Sequence, residues 1–233
     1  MSASILLVGN SHIHAVKRAR EADETPDVHF YDLDHERRAG TDRDPVAILR
    51  AHFVNGKFGA VDTLGMAIRG NLYNVIGLFN HPTPYYLAGA DPRGQFVPLD
   101  MMRGLMEGHL AVNLEFATNI ARAIPARRKI LIAAPPPIGD EVFMAAHLGT
   151  MAAKAKTGFS PRVIRRQLYD LQCEIQREQA RDLGLEFMAA PAQAFGSDGF
   201  MRQRYFRNDT AHGNDDYGRL VLAQLVAQRT LSV

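Results

Sequence analysis

The chain has a single cysteine, Cys173, among 233 residues, so it can close no internal disulfide and can build no metal site from paired thiolates. Cys173 lies in a Leu- and Ile-rich helical stretch, which predicts a small buried side chain rather than a reactive thiol. Long apolar runs are missing as well: no stretch of about 18 apolar residues is present to cross a bilayer. The start, Met1-Ser2-Ala3-Ser4, lacks the basic segment and apolar run of a secretory signal. The expectation is a cytoplasmic protein with no membrane span. Blocks of like charge are also missing. The formal net charge is +2 and the arginines are spread through helical stretches, which excludes the usual nucleic-acid footprint. The densest basic cluster, Arg127-Arg128-Lys129, is short and reads as cations at a helix end before a strand, where they complement the helix dipole.

Two further absences narrow the chemistry. The nine histidines form no recognisable ligand pattern: His12 and His14 are two apart in a predicted turn, with no H-E-x-x-H or comparable set beside them. No metal and no cofactor is expected. The chain also lacks G-x-G-x-x-G and G-x-x-x-x-G-K-[ST], which weakens a reading as a nucleotide-binding protein cradling phosphate at residues 9–12.

What is present is an alternation. Five β-rich segments, Ile5 to Val8, Val28 to Tyr31, Val61 to Ile68, Lys129 to Ala133 and Leu185 to Met188, are separated by helical material, which predicts a parallel sheet covered on both faces. The helices are expected at Ala15 to Glu21, Val46 to Val54, Met101 to Ile124, Pro161 to Leu183 and Asp216 to Arg229. The fourth has the clearest signals, with Ser160 as N-cap, Pro161 at the first helical position, Ile164, Leu168, Leu171 and Ile175 at helical spacing and Gly184 after its end. Gly77 to Leu99 is too broken by proline for a regular element and reads as a long loop. Ala134-Pro135-Pro136-Pro137 leaves the fourth strand abruptly, since proline cannot continue a ladder. The length suits one α/β domain over 1–233 with a sizeable core.

Three segments carry groups that could react. Ser11, in Gly9-Asn10-Ser11-His12, follows the first strand and precedes a helix. It reads equally as a nucleophile beside free backbone N–H groups or as a helix N-cap. Asp209 and His212 stand three apart, as a base and the carboxylate that orients it, although residues 208–214 also have the composition of an ordinary turn. Gly70-Asn71 ends the third strand and offers either a turn dipeptide or an amide able to donate to an oxyanion.

Taken in chain order, these segments resemble the SGNH, or GDSL-like, hydrolase superfamily. The resemblance rests on Gly9-Asn10-Ser11 after the first strand, Gly70-Asn71 after the third, and Asp209-Thr210-Ala211-His212 before the last helix. The lead into that helix, residues 214–219, and the proline-rich exit after the fourth strand are similar too. Asn10 replaces the family's usual aspartate and His12 its following leucine. The resemblance implies a single three-layer α/β/α domain with a central five-stranded, mainly parallel, flavodoxin-like sheet. It implies a Ser11–His212–Asp209 triad and an oxyanion hole made by Ser11 N–H, Gly40 N–H and the Asn71 side chain, with Asn74 as the alternative to Asn71. The expected substrate contacts are Asn10, His12, Asn74, His81 and Tyr85. The expected activity is hydrolysis of a carboxylic ester on a small molecule or carbohydrate, such as an O-acetyl group. The alternatives are O-acyl transfer on the same fold and a non-catalytic α/β binding protein. The oligomeric state is left open.

Overall fold

The apolar run Ile5-Leu6-Leu7-Val8 has no polar side because both of its sides are covered. In the structure, a computed structural model that describes residues 4–23, 27–38, 44–68, 70–88 and 94–230, strand β1 (Ser4–Gly9) is buried along its whole length. Helix α1 (Ile13–Asp23), β2 (Val28–Asp32), α2 (Leu33–Arg38), α3 (Pro45–Val54), β3 (Val61–Ala67) and α4 (Leu72–Gly77) follow. A minimal pair, β4 (Tyr85–Tyr86) and β5 (Gln95–Phe96), precedes α5 (Leu99–Ala123), β6 (Arg128–Ile132) and α6 (Glu141–Ala146). After a 3-10 stretch, Gly149–Thr157, the chain forms α7 (Arg162–Asp182), β7 (Glu186–Met188) and α8 (Asp215–Thr230).

The main sheet has the order β2-β1-β3-β6-β7, and each of its pairings is parallel. Alternation along β1 sorts the core into two layers. Ile5 and Leu7 pack with Ile13 and Val16 of α1 and with Tyr217, Val221 and Leu225 of α8. Leu6 and Val8 pack on the other face with Leu49 of α3 and Ala117 and Ile120 of α5. The expected three-layer α/β/α architecture is thus realised. In this strand order the topology switches direction between β1 and β3, and ligands of such sheets bind beyond the strand ends at that crevice.

Two glycines hold this crevice in shape. A Cβ on Gly9 would lie 2.5 Å from the Ala67 carbonyl oxygen and 2.6 Å from Ile13 Cγ2, so only glycine lets β1 turn into α1 against the end of β3. A Cβ on Gly218 would lie 2.2 Å from Ala15 O, so glycine also lets α8 press its first turn onto α1. That contact, with the Arg18–Asp215 ion pair at 2.6 Å, fixes the helix that follows Ser11 against the helix that follows Asp209 and His212.

The structure revises several local expectations. Helices α2, α4 and α6 are additional, and at six residues each they are too short to show helical periodicity. The segment read as a long loop contains the pairing Tyr85↔Gln95 and Tyr86↔Phe96. Ser160 is not the cap of α7: Pro161 occupies that position. Ser160 is buried, and its N–H donates to the Leu78 carbonyl at 3.0 Å. Of the expected helix-end cations, Lys129 donates to the Ala121 carbonyl at 2.5 Å, in the last turn of α5, whereas Arg127 pairs with Asp62 of β3 and Arg128 with Glu186 of β7.

Candidate active site

The end of β1 delivers Ser11 to the crevice. Gly9 pairs with Ala67 in the last register position of β1 and β3, and Asn10 N–H donates to Ala67 O at 3.2 Å. The turn is fastened from the other side by Asn10 Nδ2, which donates to Asp34 Oδ1 at 2.8 Å. His14 Nε2 and Asp32 Oδ2 lie 2.7 Å apart, while Asp32 Oδ1 accepts from the N–H groups of Asp34 and His35. The Asp32 carboxyl is opposed by burial, but its bonds to His14 and to these N–H groups hold it below the usual carboxylate range. Ser11 does not cap α1 with its hydroxyl. Its Oγ instead lies 2.7 Å from His212 Nε2.

The partner loop is closed locally. Phe206 and Gly213 form an antiparallel bridge, with Arg207 N–H donating to His212 O at 3.2 Å and Asn214 N–H to Tyr205 O at 2.9 Å. Within it, Asp209 Oδ1 accepts from the N–H groups of Ala211 (2.9 Å) and His212 (2.8 Å), and Oδ2 lies 3.0 Å from His212 Nδ1. Burial alone would raise the Asp209 carboxyl. The His212 ring and the two backbone donors outweigh it and hold the group at about 2, so it is an anion at neutral pH. An anion on Nδ1 places the ring proton there and leaves Nε2 as the acceptor facing Ser11 Oγ.

His12 packs on His212, with ring centroids 4.8 Å apart and planes 41° apart. Its Nδ1 is buried without a partner among the described residues. The ring also lines a cavity of about 20 Å³ with Leu7, Val16, Ala67, Pro135 and Tyr217. Burial, followed by the neighbouring His212, lowers His12 to about 3, so it is neutral at ordinary pH.

Asn71 stands four residues beyond the end of β3 and is partly exposed at the N-cap of α4, with no capping bond from its side chain. Asn74 is buried, and its Nδ2 donates to the Thr210 carbonyl at 3.1 Å. Its amide thus ties α4 to the loop carrying Asp209 and His212. Gly40 lies outside the described residues. His81 is exposed and bonded to its own loop through Thr83. Tyr85 packs with the α4–α5–α7 cluster, and its hydroxyl is buried. Of the five expected substrate contacts, His12 is the one the structure places against the Ser11–His212 pair.

Residues that brace the segments leading away from the fourth strand of the main sheet carry little sequence signal. Arg165 is buried and donates to Ile138 O at 2.7 Å, Ser160 O at 3.0 Å and Glu141 Oε1 at 2.9 Å, holding the segment after the proline-rich exit. Tyr73 donates its hydroxyl to Pro135 O at 2.9 Å. A charged or polar residue on the predicted apolar face of α7 is the available hint. Among the described residues no cluster of His, Cys, Asp and Glu could hold a metal ion.

Solved structures share this architecture end to end. A provisionally assigned SGNH hydrolase from Slackia heliotrinireducens is 16% identical, covers 97% of this chain with 97% of its own, and superposes with a TM-score of 0.53. The fold is that of the SGNH hydrolases. A provisionally assigned acylhydrolase from Bacteroides fragilis is 12% identical over 98% of this chain and 88% of its own, with a TM-score of 0.51. No protein-family profile and no curated sequence matches the chain. In the SGNH fold observed here, the ends of β1 and β3 and the loop before α8 converge on one crevice. Among the described residues no helix is long and apolar enough to cross a membrane.

Proposed function

We propose that the protein is a serine-dependent hydrolase of carboxylic esters. The observation that carries this reading is the unbroken hydrogen-bond chain from Ser11 Oγ through His212 to Asp209, at 2.7 and 3.0 Å, which is the geometry a nucleophile, its base and the base's orienting group require. Ser11 Oγ attacks the ester carbonyl carbon while its proton passes to His212 Nε2. The C–O bond to the alcohol then breaks as Nε2 returns that proton to the leaving oxygen. Water then attacks the acyl carbon as it gives a proton to Nε2, the bond to Ser11 Oγ breaks, and Nε2 returns that proton to Oγ, releasing the acid. Asp209 remains ionised throughout and stabilises the imidazolium.

The tetrahedral oxyanion takes hydrogen bonds from Ser11 N–H, which has no partner among the described residues, and from Asn71 Nδ2, with Gly40 N–H as the third proposed donor. His12 forms the wall beside the base. The substrate class is a small ester or an O-acylated carbohydrate.

A serine-directed fluorophosphonate, with mapping of the adduct, tests this directly. The expected result is one adduct on Ser11, hydrolysis of short aryl esters, and loss of both in Ser11→Ala. No adduct on Ser11, with full activity in Ser11→Ala and His212→Ala, would end the reading. Adding a sugar acceptor separates hydrolysis from acyl transfer: the free acid is expected as product, and an acylated sugar would show transfer instead.

A further inference from the structure

The Gly70-Asn71 turn is gripped by a side chain from α7. Gln172 is fully buried. Its Oε1 accepts from the Tyr73 N–H at 2.8 Å, and its Nε2 donates to the Gly70 carbonyl and, at 3.3 Å, to Gln176 Oε1. The partners settle which way the amide points, because a backbone N–H can only donate and a backbone carbonyl only accept. The two main-chain groups it holds flank Asn71 on either side.

Tyr73 N–H is the second N–H of α4, one of the donors that a helix start leaves without an internal partner. An asparagine at the N-cap ordinarily accepts a bond from this N–H or from the next one. Asn71 occupies the N-cap and makes no such bond. The Tyr73 N–H is held by Gln172, and the next N–H, that of Asn74, donates to the main-chain oxygen of Asn71 at 3.0 Å. Both groups the Asn71 side chain would cap are therefore satisfied by something else. A carboxamide acting as a cap is tethered over the first turn of its own helix, whereas one relieved of that task can present its N–H to a ligand.

We infer that Gln172 is the positioning residue of the oxyanion site: it caps α4 in place of Asn71 and leaves the Asn71 carboxamide free to donate to the oxyanion formed at Ser11. The oxyanion half rests on the proposed ester hydrolysis, while the exchange of caps stands without it. Gln172 touches no substrate and acts through the turn.

Two measurements test the inference. The first needs no turnover. Because Gln172 is the cap, Asn71→Ala melts at the wild-type temperature; a clear drop, as when an N-cap is lost, would overturn the exchange of caps. The second compares Gln172→Met in the wild-type and Asn71→Ala backgrounds with a short aryl ester. In the wild-type background kcat is expected to fall on the order of ten- to a hundred-fold with KM unchanged, as for a misplaced oxyanion donor. In the Asn71→Ala background the same substitution changes kcat little, because the group it positions is gone. Equal losses in both backgrounds, or a loss confined to KM, would overturn the positioning role. Should Gln172→Met fail to fold, the melting of Asn71→Ala decides. Absence of Ser11-dependent turnover in the wild type would defeat the hydrolase reading and the oxyanion half with it, leaving the cap to the melting experiment.

Discussion

The two halves of the candidate site are built in opposite ways. The proposed acid–base half is local: Asp209 and His212 sit three residues apart in one loop, and two backbone N–H groups from the same loop orient the carboxylate. The proposed oxyanion half is remote: Gly70 and Tyr73 are held by Gln172, about a hundred residues further along the chain. A local device needs only a short contiguous motif, so it is visible in sequence. A remote device depends on two helices packing correctly, and nothing near Asn71 announces the residue that supports it. The halves meet where Asn74 of α4 donates to Thr210 of the loop.

Removing the reacting groups breaks the comparison most severely. Ser11→Ala and His212→Ala are each expected to lower kcat by on the order of 10⁶-fold, the scale on which a nucleophile or its base acts when the rest of the site is intact. Asp209→Asn comes next, at about 10⁴-fold, because an amide cannot hold the ring in the tautomer that leaves Nε2 bare. Steady-state kinetics on an aryl ester checks both. Asp209 should also leave a signature in stability. Its carboxyl is lowered to about 2 when folded, against roughly 3.9 in an unfolded chain. Its contribution is therefore complete above about pH 4 and lost as the pH falls towards 2. Denaturant unfolding should accordingly show the wild-type advantage over Asp209→Asn shrinking through that window.

Asn71→Ala is expected to cost on the order of 10²–10³-fold in kcat, the range for one oxyanion donor. Asn74→Ala sharpens the contrast because it cuts the tie between the halves. It leaves the buried Thr210 carbonyl without its side-chain donor, at about 1–3 kcal/mol of stability, and loosens the loop carrying Asp209 and His212, so kcat should fall by about an order of magnitude. Thermal melting and kcat measured together test this. An Asn74→Ala protein that keeps its melting temperature but loses as much activity as Asn71→Ala would make Asn74 the oxyanion donor instead.

Legibility in the sequence follows the same division. The five strands of the sheet were readable because each is a contiguous β-rich run, and β1 shows its burial on both faces through four consecutive apolar residues. Helices α2, α4 and α6 were not readable, since six residues make less than two turns. Ser11, Asp209 and His212 stood out because each belongs to a short motif in a fixed order. Asn74 is expected as a substrate contact from its place beside Gly70-Asn71, and Tyr85 from its place in the proline-broken loop, but Asn74 donates to the Thr210 carbonyl and Tyr85 packs with the α4–α5–α7 cluster. Gln172 follows Leu171 on the apolar side of a predicted helix, and only its polarity among buried neighbours hints at a role.

The smallest expected effect concerns His12, which follows Ser11 in sequence and packs on His212. A His12→Phe variant keeps a ring against His212 and removes the titratable group, so kcat near neutrality should change little. Stability against pH is where the two proteins part. Folded His12 resists protonation down to about 3, whereas an unfolded histidine takes up its proton near 6.5. Between those values the unfolded wild-type chain binds a proton that the folded one does not, so its stability falls relative to the variant as the pH is lowered, by at most about 1.4 kcal/mol per pH unit. Urea unfolding of both proteins at pH 7, 5 and 4 reads this difference. A constant gap would mean that His12 is free to charge in the folded protein, and the base would then face a second cation in acid rather than a neutral wall.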